Sequence, residues 1–86
     1  MTALQERDMR ILAFERRAWP SPGVKELEIQ ESFAMSATRY YQLLNELIDR
    51  PEAAAFDPVL VKRLRARRAK RARRRSVRSA RSDEAG

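Results

Sequence analysis

The chain of 86 residues contains no cysteine and no histidine, and only two glycines and one tryptophan. Without thiols there are no disulfides and no thiolate metal sites, a composition compatible with a reducing interior. Without imidazole the commonest acid–base side chain and the commonest metal ligand are both missing. No Gly-rich phosphate loop or metal-ligand cluster occurs, and the acidic residues are scattered over amphipathic segments. An enzyme, a metal centre and a bound cofactor are therefore not expected. No apolar run approaches the roughly 20 residues that cross a bilayer. The start "MTALQERDMR" lacks the basic and apolar regions of a signal peptide. The expectation is a cytoplasmic protein with no membrane partner. β-Branched residues are sparse while Ala, Leu, Glu and Arg dominate, which favours helices over sheet.

What is present is charge, unevenly divided. Residues 1–57 carry seven Lys or Arg against ten Asp or Glu, whereas residues 58–86 carry twelve against two. The formal net charge of +7 thus hides a mildly acidic module joined to a strongly basic one.

Apolar spacing predicts the elements. Thr2 with Gln5 fits a capping box ahead of a first helix, along which Leu4, Ile11, Leu12, Phe14, Ala18 and Trp19 form the inward stripe. "WPSPG" ends that helix. A second helix starts near Pro22 with Ser21 as its cap and runs to Phe33 or Ala34. Ile29 and Phe33 are its apolar pair, and Val24 and Leu27 lean on helix 1. "AMS" links it to a third helix capped by Ser36, whose Tyr40, Leu43, Leu44, Leu47 and Ile48 make a full apolar face. Pro51 ends that run, and "PEAAAF" has room for one or two further turns. Asp57 with Pro58 opens a basic helix over 58–75, docked by Leu60, Val61 and Leu64. Residues 76–86 read as a disordered tail.

A short helix, a three-residue turn and a Ser-capped second helix make the helix-turn-helix layout. Ile29, Phe33, Met35, Tyr40 and Leu43 fill the positions where the two helices cross. Ala34 stands where Gly is common, and Gln30 stands where close approach usually asks for Ala. With the apolar face inward, Thr38, Arg39, Tyr41, Gln42 and Asn45 point outward near the start of the third helix, the part that reaches base edges in the major groove. Arg39 has the geometry for guanine O6 and N7, and Gln42 or Asn45 for adenine N6 and N7. Thr38 suits a phosphate or a thymine methyl, and Tyr41 a phosphate.

The basic segment points the same way. Arg63, Arg67 and Arg71 recur at i, i+4 and i+8, with Lys62, Arg65, Arg68, Lys70, Arg73, Arg74 and Arg75 broadening the stripe. Such a density of like charge destabilises the free chain and calls for an anionic partner. These ten residues, with Ser36, are the predicted phosphate contacts, giving salt-sensitive and sequence-blind affinity. The segment has no aromatic residue for stacking single-stranded bases, and no large apolar face for a membrane surface.

Three blocks, "ILAFERRAW", "FAMSATRYYQLLNELIDRPEA" and "FDPVLVKRLRARR", resemble a family of small actinobacterial proteins catalogued as a domain of unknown function, over most of residues 7–68. Its members are generally described as helix-turn-helix proteins, and at least one resembles a nucleoid-associated DNA-binding protein. The family usually has Gly where this chain has Ala34. The resemblance brings no catalytic or ligand-binding residue with it.

The expectation is thus an all-α chain. Residues 1–57 form a three-helix helix-turn-helix core of the sigma-region-4 or homeodomain kind, 58–75 a basic helix and 76–86 a disordered tail. Its partner is double-stranded DNA at the nucleoid, in an architectural or regulatory role. An alternative is an adapter whose acidic module docks on RNA polymerase or another protein while the tail holds nucleic acid nonspecifically. No dimer seam is legible.

Overall fold

Most of the helix starts are fixed by a side chain that satisfies backbone N–H groups left without intrahelical partners. The computed structural model describes residues 3–85, with side chains through Arg74. Its helices are α1 (Glu6–Arg16), α2 (Pro22–Phe33), α3 (Ala37–Ile48), α4 (Pro51–Phe56) and α5 (Pro58–Ala85). Ser21 Oγ accepts from the Val24 N–H at 3.3 Å, Ser36 Oγ from Arg39 at 3.2 Å, and the Asp57 carboxylate from Leu60 at 3.3 Å. These are the predicted caps of α2, α3 and α5. The first helix differs. Gln5 is its N-cap, and the Gln5 N–H donates to the Asp8 carboxylate at 3.1 Å. The expected cap, Thr2, lies outside the described residues. α1 also ends early, at Arg16, because Arg17 turns into extended backbone (φ −75°, ψ 144°). Ala18 and Trp19 therefore lie beyond the helix. The extended segment still brings the Trp19 ring onto Phe14, with centroids 4.6 Å apart.

The fold is all-α, and among the described residues there is no strand. Ile11, Leu12 and Phe14 of α1 meet Ile29 of α2, Tyr40, Leu44, Leu47 and Ile48 of α3, Ala53 of α4, and Leu60, Val61 and Leu64 of α5. An aromatic knot lies where the first three helices converge. Phe14, Phe33 and Tyr40 contact one another at 5.3–5.6 Å; Phe14 meets the other two in the edge-to-face geometry that aromatic quadrupoles favour, and Phe33 and Tyr40 are tilted at 44°. Two expectations about packing fail. Val24 and Leu27 do not lean on α1; they are 45% and 56% exposed. The inward face of α3 is also narrower than its pattern, since Leu43 is only half-buried.

Between α2 and α3 the chain turns through Ala34 in the left-handed region (φ 53°, ψ 40°), its N–H donating to the Gln30 carbonyl at 3.0 Å. That is the conformation for which Gly is the usual choice at this point. Gln30 itself is exposed, so its larger side chain obstructs nothing at the helix crossing.

Three carboxylates are buried, and each is paired, as burial of charge requires. Asp8 accepts from Arg50 at 3.2 Å, tying α1 to the start of α4. Glu15 accepts from the Tyr40 hydroxyl at 2.5 Å and from Lys25 at 3.0 Å, tying α1 to α3 and α2. Asp57 accepts from Arg16 Nε at 2.6 Å, tying the end of α1 to the start of α5.

α5 has 28 residues, about 42 Å of helix at 1.5 Å per residue. Only its first two turns contribute to the core, through Leu60, Val61 and Leu64. The remainder projects, so the radius of gyration is 15.2 Å where a compact chain of this length gives about 12 Å. The break expected at residue 75 is absent, and residues 76–85, read as disordered from sequence, continue the helix. No Gly or Pro interrupts the chain between Pro58 and Gly86. Arg and Ala are strong helix formers, and repulsion between like charges at i+4 costs only a few tenths of a kcal/mol per pair.

Ala34 carries a testable strain. An L-residue in the left-handed region costs about 1–2 kcal/mol, and Gly avoids this at the expense of a floppier unfolded chain. Ala34→Gly is expected to raise stability by about 0.5–1 kcal/mol in urea unfolding. No gain would show that the turn is not strained.

Candidate nucleic-acid interface

The outward residues of α3 divide into two groups. Thr38, Arg39, Gln42 and Asn45 are exposed, as their pattern predicts. Tyr41 is half-buried instead. Its ring stands edge-on to Tyr40 at 5.3 Å, with Lys25 Nζ 5.4 Å from its centroid. The turn of α3 that seats the Tyr40 hydroxyl on Glu15 draws the neighbouring Tyr41 towards α2 and α5. Burial, and then the hydrogen bond to Glu15, push the Tyr40 hydroxyl well above the ordinary tyrosine range. Tyr40 is therefore a neutral donor, and Glu15 the acceptor. The Ser36 hydroxyl is engaged as a cap.

The cations of α5 also divide. Lys62, Arg63, Arg67, Lys70, Arg71, Arg73 and Arg74 are exposed, and the side chain of Arg75 lies outside the described residues. Arg65, which is also exposed, and Arg68, which is half-buried, bend onto the C-terminal end of α3. Arg65 Nε donates to the Ile48 carbonyl at 2.6 Å. Arg68 Nη1 donates to the Asn45 carbonyl at 3.3 Å, and the same guanidinium forks onto Asp49, at 3.1 Å and 2.6 Å. Carbonyls at a helix C-terminus lack intrahelical donors and favour nearby cations. The hydrogen bond from Arg68 holds the Asp49 carboxyl below its usual range, and its own guanidinium is raised in turn. Two residues assigned to phosphate from sequence thus have partners inside the protein. The signal that could have found them is Asp49 itself. A carboxylate at the C-cap of α3 opposes the helix dipole and needs a cation, and Arg65 and Arg68 follow the docked Leu64 by one and four residues.

Docking α5 on α3 leaves a cleft of about 230 Å³ between them. Leu44, Ile48 and Leu64 line its depth, Tyr41 and Asn45 belong to its α3 side, and Arg67, Arg68 and Arg71 to its α5 side. The Lys25–Glu15 pair also borders it. Five residues of the predicted interface, Tyr41, Asn45, Arg67, Arg68 and Arg71, therefore gather in one place. Thr38, Arg39 and Gln42 do not border the cleft. They lie on exposed α3 surface nearer its N-terminal end. Lys25, which sequence reasoning passed over, joins the cleft through its bond to Glu15.

Residues 3–76 match the model of a family described as a protein of unknown function (DUF3263), and the chain belongs to that family. Comparison with curated proteins and with solved structures brings out no match to either. Among the described residues no helix is long and apolar enough to cross a membrane.

The ion pair at the root of α5 sets a pH dependence. The hydrogen bond from Arg16 is the main cause that holds the Asp57 carboxyl below its ordinary range. A depressed carboxyl stabilises the fold above the unfolded value, near pH 4, and loses that contribution as pH falls through the folded value. Asp57→Asn keeps a good helix cap and removes only the charge. Urea unfolding is expected to show wild type more stable than this variant at neutral pH. The gap should close as the pH is taken well below about 4. A gap that persists in strong acid would assign the stabilisation to shape rather than charge.

Proposed function

We propose that this member of the DUF3263 family is a double-stranded DNA-binding protein of nucleoid-associated or transcription-regulating type. In this reading α2, the turn at Ala34 and α3 form a helix-turn-helix, and the exposed N-terminal part of α3 enters a major groove. Thr38, Arg39 and Gln42 meet base edges, and the outward cations of α5 lie along phosphates. Base contacts select and phosphate contacts hold. The observation that carries the reading is the pairing of an exposed polar stretch on α3 with a basic helix docked directly against the same α3. Thr38, Arg39, Gln42 and Asn45 are exposed, and Arg65 and Arg68 fasten α5 to the other end of that helix.

A second reading rests on the outer face of α2. Val24 and Leu27 are exposed there alongside Glu26 and Glu31, an apolar and acidic surface suited to a protein partner such as RNA polymerase. In that case the acidic module docks on protein and α5 holds nucleic acid without selectivity.

Binding of the full chain to a labelled random duplex and to genomic fragments, across a salt series, separates the two. On the first reading affinity falls steeply with salt, and some fragments bind more tightly than the random duplex. Arg39→Ala with Gln42→Ala is then expected to lower that preference by about tenfold or more, since each bidentate base contact is worth about 1–3 kcal/mol. Binding to the random duplex should change far less. Unchanged selectivity in the double variant would transfer the function to the α2 surface.

A further inference from the structure

We infer that the cleft between α3 and α5 seats the sugar–phosphate backbone of one DNA strand, gripped by Arg67 and Arg71 and held in register by the Asp49–Arg68 fork. This rests on the DNA-binding reading and narrows it to particular side chains. Four cations border the cleft, and two are already neutralised, Lys25 by Glu15 and Arg68 by Asp49. Arg67 and Arg71 have no ion-pair partner among the described residues. They stand one helical turn apart, where like charges repel and a shared anion relieves the repulsion. Arginine suits this task because its planar fork matches the oxygens of a phosphate.

The other lining residues fit the rest of a backbone unit. Tyr41 brings a hydroxyl and Asn45 an amide as further hydrogen-bonding groups on the α3 side. Leu44, Ile48 and Leu64 close the cleft from below as part of the core, so its recognition chemistry lies with the polar and charged rim. At about 230 Å³ the cleft is smaller than the roughly 300–1,000 Å³ of pockets that enclose a small-molecule ligand. Its spacing is set by bonds within the protein, from Arg65 to the Ile48 carbonyl and from Arg68 to Asn45 and Asp49. Arg65, Arg68 and Asp49 are thus positioning residues, and the grip falls to Arg67 and Arg71.

The test uses the full chain, a random duplex and charge-matched variants. Lys62 and Arg73 lie on the opposite side of α5 at 100° per residue, both exposed. Arg67→Gln with Arg71→Gln removes the same charge as Lys62→Gln with Arg73→Gln. The cleft pair is expected to weaken binding about tenfold or more and to reduce the salt slope by about two. The outer pair should weaken it only a few-fold. Equal losses in affinity and slope would overturn the seat and leave α5 a diffuse electrostatic arm, with the DNA reading intact. Asp49→Asn with Arg68→Gln leaves the net charge unchanged, and is expected to weaken binding about fivefold. The swapped pair, Asp49→Arg with Arg68→Asp, should recover most of that loss. Circular dichroism confirms that each variant folds. A folded Asp49→Asn/Arg68→Gln protein with wild-type affinity would remove the positioning role. Absence of salt-dependent duplex binding by the wild-type chain would instead overturn the DNA reading, and this inference with it.

Discussion

Much of this small structure depends on one buried carboxylate. Glu15 receives the Tyr40 hydroxyl and the Lys25 ammonium, so one side chain of α1 fixes both helices that follow it. A carboxylate inside a core this size is tolerated only while its partners stay in place, and removing either leaves charge or hydrogen-bonding capacity unmet. Tyr40 in turn belongs to the aromatic knot with Phe14 and Phe33, and its orientation decides which residues of α3 face outward. The departure of Tyr41 from the simple helical pattern follows from the same constraint.

Burial of acids also changes what the charge division means. The first 57 residues have an acidic excess, yet Asp8, Glu15 and Asp57 are internal and paired, and Asp49 is forked by Arg68. The surface of the module is therefore less acidic than its composition suggests. The acids that remain exposed include Glu26 and Glu31 on α2 and Glu46 on α3. The arginines that pair with the buried acids come from far along the chain, Arg50 for Asp8 and Arg16 for Asp57. These ion pairs act as long-range ties in a chain otherwise rich in local contacts.

The element boundaries marked by polar caps and prolines were legible in the sequence. Ser21, Ser36 and Asp57 cap the helices that they were expected to cap, and α2 ends at Phe33, one of the two ends that its pattern allowed. Less legible was anything decided by packing between distant segments. Nothing local distinguishes Arg65 and Arg68, bound to α3, from Arg67 and Arg71 beside them. The difference is a rotation of 100° per residue about a helix whose docking is set by Leu60, Val61 and Leu64. Val24 and Leu27 mislead for the converse reason, since apolar identity alone does not say that a partner helix is near. Residues 76–86 read as a disordered tail from their composition, whereas α5 runs on to Ala85 without a Gly or Pro to stop it.

The projecting helix gives this chain a reach out of proportion to its mass. Some 42 Å of continuous α5 exceeds one turn of B-form duplex, which is about 34–36 Å. Alongside such a duplex, a 10-kDa protein would occlude a stretch well beyond the footprint of its globular part. Neighbouring copies would then be spaced by the length of the arm. The density of coverage on a long polyanion would be a property of one helix, adjustable by lengthening or trimming α5 without touching the core.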